Sequence, residues 1–223
     1  MYLLLFDIDG TLINTGGAAL RAAELAFENI YDVKNVMAGI TADGKTDYLI
    51  LNEMFNNGLG RDYSHREADV IFSEYLQILD DLLQDGCKIE ILPGVVDLLD
   101  ELSDRDDVVL GLATGNIEQG AWIKLKHSEL DRYFAFGGFG SDSENRVQLV
   151  RAGIERGRRY ADRHLYDIYV IGDTPRDIIA GKAAGATTVG VSTGMYSYKQ
   201  LESHNPEHLF DDLSDIDSFL SII

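Results

Sequence analysis

The sequence has 223 residues, enough for one full α/β core plus a modest extra module. Its 45% hydrophobic and 26% charged residues, with 3 prolines against 22 glycines, exclude a disordered or Pro-rich chain. Nineteen basic against 38 acidic side chains leave a net charge of −19, a field that repels phosphate backbones and anionic lipid, so neither nucleic acid nor a membrane is an expected partner.

A single cysteine, Cys87, excludes an internal disulfide and zinc sites built on several thiolates, and it fits a reducing, cytoplasmic setting. In chain order the first predicted element is the apolar run Tyr2-Leu-Leu-Leu-Phe6, which reads as a strand covered on both faces and stops at Asp7, Asp9 and Gly10. It lacks a basic flank and is too short for a signal peptide or a membrane span. From Gly16 to Ile89 the spacing turns helical, at Ala19, Ala23, Phe27 and Ile30 and again at Ile71, Tyr75, Ile78 and Leu82, with no strand pattern between. This predicts a helical insert over 16–89 that returns through Ile91-Leu92-Pro93-Gly94 and lies over the end of the first strand as a lid.

The remaining core, 1–15 plus 90–223, alternates helix and strand. Val95, Leu98, Leu99 and Leu102 predict a helix, and Val108 to Ala113 a strand that ends at Thr114-Gly115-Asn116. Val147, Val150 and Ile154 predict the next helix, Ile168 to Ile171 a strand ending at Gly172-Asp173, Ile178 to Ala184 a helix, and Thr187 to Val191 a strand. Such alternation makes a parallel sheet, and ligands of parallel sheets bind beyond the carboxyl ends of the strands. The tail beyond Lys199 has six acids and no Lys or Arg, which reads as a solvated last helix. The Arg151, Arg156, Arg158, Arg159, Arg163 series spreads around a helix as a solvated face, and Trp122 reads as packing.

The polar strand ends carry the chemistry. Asp7 and Asp9 stand two apart at a strand end, and Gly10 permits the bend that lets them cooperate. One carboxylate can then act as nucleophile and the other as general acid and base, with a cation suppressing their repulsion. Asp173 and Asp177, four apart at a helix start, can both face that cation, or can serve as capping acids. Thr114 offers a hydroxyl, and Gly115 and Asn116 let backbone N–H groups approach a phosphoryl oxygen, with those near Asp9 and Gly10 completing the cradle.

Taken together, Phe6-Asp7-Ile8-Asp9-Gly10-Thr11-Leu12, Leu112-Ala113-Thr114-Gly115-Asn116 and Ile171-Gly172-Asp173-Thr174-Pro175-Arg176-Asp177-Ile178 resemble the haloacid dehalogenase superfamily of aspartate-nucleophile phosphohydrolases. The resemblance covers essentially the whole chain. Gly44-Lys45-Thr46-Asp47 is similar to the cap segment of phosphoglycolate-phosphatase-like members. What the resemblance implies is an α/β fold, with a Rossmann-like parallel sheet core, helices on both faces and an inserted all-helical cap. It further implies that Asp7 attacks phosphorus and becomes an aspartyl phosphate, and that Asp9 protonates the leaving oxygen and then activates water. Thr114 joins them as a catalytic group, while Gly10, Thr11, Gly115 and Asn116 bind substrate. Mg²⁺ is implied as cofactor, held by the Asp7 carboxylate, the Asp9 backbone carbonyl and Asp173, with Asp177 in support.

The family pattern also has a basic side chain, most often lysine, before its last motif. No Lys lies between His127 and Asp173, and Arg146, at a helix start after Ser141-Asp142-Ser143, fits that place. Lys124 and Lys126, mid-helix, are expected to be solvated. In the insert, Thr41, Asp43, Lys45 and Thr46 are expected to reach the substrate's non-phosphate end. The implied activity is a Mg²⁺-dependent phosphatase of small phosphorylated metabolites, phosphoglycolate among them. A phosphomutase of the β-phosphoglucomutase type shares the same motifs, and a non-enzymatic phosphoacceptor module is a third reading. The chain is expected as a monomer or homodimer.

Overall fold

The computed structural model describes residues 1–161 and 167–223, so Arg163 of the basic series lies outside the described residues. Strands β1 (Tyr2–Phe6), β4 (Val108–Ala113), β6 (Asp167–Gly172) and β7 (Thr187–Val191) form where continuous apolar runs predict them. With β5 (Gly137–Gly138) and β8 (His208–Phe210) they make a six-stranded sheet in the order β5-β4-β1-β6-β7-β8, with every neighbouring pair parallel. The first strand is central, and the chain leaves it first toward β4 and later toward β6. This reversal at β1 opens a crevice beyond its carboxyl end, which is where Asp7 begins.

The pleat sorts the β1 side chains between two cores. Leu4 and Phe6 pack with Leu98, Leu99 and Leu102 of α4 (Val95–Ser103) and with Ala121 and Leu125 of α5 (Glu118–His127). Leu3 and Leu5 face the opposite way, toward Leu149, Val150 and Ile154 of α6 (Arg146–Tyr160) and Ala180 of α7 (Pro175–Ala184). Helices therefore cover both faces, as a sheet buried on two sides requires.

The two edge strands carry no apolar run. β5 is the pair Gly137–Gly138, and a Cβ on Gly138 would stand 1.8 Å from the Leu149 carbonyl oxygen, so glycine is what lets α6 cross the strand closely. The opposite edge, β8 (His208–Phe210), comes from the acidic tail, which corrects the expectation of a solvated last helix. After α8 (Tyr198–Glu202) that tail does end in a short helix, α9 (Ile216–Leu220), but Leu213 and Phe219 are buried in the core, and the Tyr169 hydroxyl donates to the Ile222 carbonyl at 2.6 Å. Its acids face water while its few apolar residues decide where it lies.

Between the first and second sheet strands the chain builds α1 (Ala18–Tyr31), α2 (Asp47–Leu59) and α3 (His65–Gln84). Two short strands, β2 (Ile13–Asn14) and β3 (Glu90–Ile91), pair antiparallel at the base of this insert. The insert has its own apolar centre, where Phe27, Leu51, Met54, Phe55 and Ile71 pack together. The second helix is not legible as a heptad-like stripe in the sequence. It starts because the Thr46 hydroxyl accepts the Leu49 N–H, and it ends at Gly60 in the left-handed region. Among the described residues, no helix is long and apolar enough to cross a membrane.

Candidate active site

The loop after β1 is built around Gly10, whose φ of +83° turns the chain back so that its N–H donates to the Ile13 carbonyl at 2.9 Å. That hydrogen bond occupies the Gly10 N–H, which is therefore not open to a phosphoryl group. A Cβ on Gly10 would stand 2.4 Å from Asp173 Oδ2, so the bare backbone is what admits Asp173 from the end of β6. Thr11 is fully buried, and its hydroxyl donates to Asp173 Oδ1 at 3.1 Å, which makes it an orienting group for that carboxylate.

Asp7, Asp173 and Asp177 are all buried, and one oxygen from each lies within 4.8 Å of the others. Arg146, at the first position of α6, is buried against them. Its Nη2 donates to Asp7 Oδ2 at 2.8 Å and to Asp177 Oδ1 at 2.5 Å, and its Nε also donates to Asp177 Oδ1, at 2.9 Å. The helix starts at Arg146 because Asn145 caps it, accepting the Val147 N–H at 2.9 Å. On the far side, Asp177 Oδ2 accepts the Thr174 N–H and hydroxyl at 3.1 and 2.7 Å, closing the capping box of α7. Asp177 thus answers both sequence readings: it caps a helix and it faces the acidic cluster.

Burial lifts the Asp7 carboxyl from its ordinary 3.8 to about 6, against the pull of Arg146. Burial, and then the charges of Asp7 and Asp177, push Asp173 well above its usual range. Three buried carboxylates facing one guanidinium hold an excess of negative charge. That excess and an all-oxygen donor set fit a hard divalent cation such as Mg²⁺.

Asp9, in the loop beyond the end of β1, turns away from that cluster. Its Oδ2 accepts from Asn116 Nδ2 at 2.8 Å and from Lys124 Nζ at 2.6 Å, and Lys124 also donates to Asn116 Oδ1 at 2.6 Å. Lys124 is only 2% exposed, which corrects the expectation that it is solvated. The signal was present in the sequence. Gly120, Ala121, Lys124 and Leu125 form the buried face of α5, so this lysine sits on the apolar stripe of its helix rather than opposite it. The Thr114 hydroxyl accepts from Asn116 Nδ2 at 2.7 Å and is fully buried at the end of β4, beside the same network.

Lys124 is a positioning residue for Asp9, which gives a specific expectation. On the reading of Asp9 as the acid that protonates the leaving oxygen, which the resemblance implies, Lys124→Met is expected to lower turnover of alkyl phosphates by about 10²-fold, the scale of a misplaced catalytic group. The same variant costs p-nitrophenyl phosphate much less, because an aryl oxide leaves without a proton. Lys124→Arg recovers part of the loss; an equal loss on both substrates would mean that the lysine is merely structural.

The insert meets the core through the segment around residues 44–47. The Asp47 N–H donates to the Gly115 carbonyl at 2.9 Å, Asp47 Oδ2 accepts the Ile117 N–H at 2.7 Å, and Arg146 Nη1 donates to the Gly44 carbonyl at 3.1 Å. Beneath the insert lies a partly open cavity of about 350 Å³, whose lining includes Asp7, Asp9, Thr114, Arg146 and Asp173. Asp43 and Lys45 also line it, and Lys45 Nζ is held by both oxygens of Glu53 at 2.6 and 2.7 Å. Thr46 is buried as the cap of α2, and Thr41 is exposed. Trp122 packs on Phe139 with ring centroids 6.0 Å apart.

A carboxylate at the end of the central strand, a basic group upon it and two further acids beneath a helical insert define a hydrolase-type site in a parallel α/β sheet. The chain belongs to the haloacid dehalogenase-like hydrolase family, whose profile matches residues 4–191. It is similar to the protein named pyrophosphatase PpaX of Bacillus mycoides (strain KBAB4), at 26% identity over 232 residues, covering 99% of this chain and 97% of that one. Among solved structures it is similar to a predicted phosphoglycolate phosphatase from Haemophilus somnus 129PT, with a TM-score of 0.72 and 21% identity, covering 98% of this chain and 97% of the other. A hydrolase from Pseudomonas syringae superposes with a TM-score of 0.71 at 23% identity, covering 100% and 99%. At these identities the two structures establish the shared fold.

Proposed function

We propose that this chain is a Mg²⁺-dependent phosphatase that hydrolyses small phosphorylated metabolites through an aspartyl-phosphate on Asp7. The observation that carries this reading is the Asp7 carboxylate at the end of β1, 2.8 Å from Arg146 and clustered with Asp173, at the floor of a covered cavity. An Asp7 oxygen attacks phosphorus while the ester oxygen departs with a proton from Asp9. Water, giving a proton to Asp9, then attacks the same phosphorus and releases inorganic phosphate, which restores both carboxyl groups. Arg146 and the Thr114 hydroxyl face the charge that develops on the phosphoryl oxygens. Asp7, Asp173 and the Asp9 backbone carbonyl are the groups that hold the cation, with Asp177 orienting Arg146 beside them. When bound, Mg²⁺ supplies the positive charge that lets a dianionic phosphoryl group approach a carboxylate. The insert over the cavity limits the size of the substrate that reaches Asp7.

The relatives named for pyrophosphate and phosphoglycolate place those compounds in the test panel beside alkyl phosphates, sugar phosphates and nucleotides. Phosphate release from at least one of them, requiring both Mg²⁺ and Asp7, is the expected result. Folded protein that releases none, or that interconverts sugar-phosphate isomers without net release, removes the phosphatase reading.

A further inference from the structure

We infer that the leaving-group half of this cavity selects phosphate esters of short uncharged alcohols carrying an apolar segment, and rejects substrates with a second anionic group. The inference rests on the phosphatase reading for its chemistry, but its physical basis is separate. Three cations line the cavity among the described residues, and each already has a carboxylate partner: Arg146 with Asp7 and Asp177, Lys124 with Asp9, and Lys45 with Glu53. Lys45 is the one of the three that the insert contributes to the lining, and both oxygens of Glu53 hold it.

What remains around that end is acidic, apolar or neutral, with no further cation among the described residues. Asp43 and Asp47 line it without a salt bridge, and burial raises the Asp47 carboxyl to about 6, so at neutral pH it still adds negative charge. Leu20 and Ile50 supply apolar wall there and also line an adjoining recess of about 50 Å³ between α1, α2 and α3, whose other walls include Met54, Phe72 and Tyr75. That volume is under two waters' share of liquid volume (~30 Å³ each), which fits a short alkyl branch and not a ring system. A carboxylate or second phosphate there would lose water and meet like charge with no free cation to pair it. An alkyl group instead gains about fourfold in binding for each methylene buried.

The experiment compares kcat/KM for methyl, propyl and butyl phosphate with that for phosphoglycolate and pyrophosphate, at pH 7.5 with Mg²⁺, in the wild-type chain and in Glu53→Gln. The expected order has the alkyl esters rising with chain length and exceeding both anionic substrates by tenfold or more. Glu53→Gln frees Lys45 and raises the anionic-to-alkyl ratio by about tenfold, the worth of one released ion pair. A wild-type preference for phosphoglycolate or pyrophosphate overturns the inference, and so does a ratio that Glu53→Gln leaves unmoved. Calorimetric binding of propyl phosphate and phosphoglycolate to the Asp7→Asn protein with Mg²⁺ separates this from the phosphatase reading. If no ester releases phosphate, the phosphatase reading falls, while tighter binding of propyl phosphate still upholds the selectivity and tighter binding of phosphoglycolate still overturns it.

Discussion

Replacing Asp7 by Asn is expected to lower phosphate release by about 10⁴-fold or more while the fold is kept, because the amide cannot form the covalent intermediate. The same substitution has a stability signature of opposite sign. The folded pKa of Asp7, about 6, lies above the ordinary 3.8, so the group's contribution to stability is complete below pH 3.8 and is lost as pH rises through about 6. In Mg²⁺-free buffer at pH 7.5 the Asn variant therefore melts at or above the wild type, and the difference closes toward pH 4. Adding Mg²⁺ reverses the order, since only the carboxylate gains from the cation. Phosphate release with thermal melts at the two pH values reads both effects. A variant that keeps turnover would remove Asp7 as nucleophile, and one that melts lower at pH 7.5 without metal would mean that the Arg146 contact outweighs the burial of the charge.

The second large effect belongs to Arg146. Truncation to Ala strips a buried guanidinium from Asp7 and Asp177 and leaves two carboxylates without their partner, a change that costs about 3–5 kcal/mol in stability. It also removes the donor that faces the transferring phosphoryl group, with a loss of about 10³-fold in kcat/KM. Arg146→Lys restores the charge but not the fork that reaches Asp7, Asp177 and the Gly44 carbonyl together. Lysine is therefore expected to recover most of the stability and only part of the activity, read by urea denaturation and steady-state kinetics. Ala and Lys variants that behave alike would mean that the positive charge itself contributes little.

Much of this was legible from residue order. The continuous apolar runs at Tyr2–Phe6, Val108–Ala113 and Thr187–Val191 became strands because a run flanked by polar stops is locally self-consistent, whatever packs on it later. The helical stripe at Ala19, Ala23 and Phe27 became α1 for the same reason. Asp7, Thr114 and Asp173 converge because parallel strands bring their carboxyl ends to one edge, and Arg146 follows from a helix start next to that edge. The edge strands were hidden: Gly137–Gly138 has no side chain to signal a strand, and His208–Phe210 pairs only because β7 presents it an open edge.

The sequence by itself thus determined the alternating core, the helical insert and the positions of the acids, since each of these is written in local spacing and punctuation. Tertiary structure alone decided which charges meet. Lys124 reaches Asp9 across 115 residues, and Arg146 reaches Asp7 across 139. Lys45 turns to Glu53 on its own insert, and Thr46 is spent on capping a helix. A buried ion pair depends on the distance between side chains that are remote in the chain, and local spacing can mark a residue such as Lys124 as buried without setting which charge it meets.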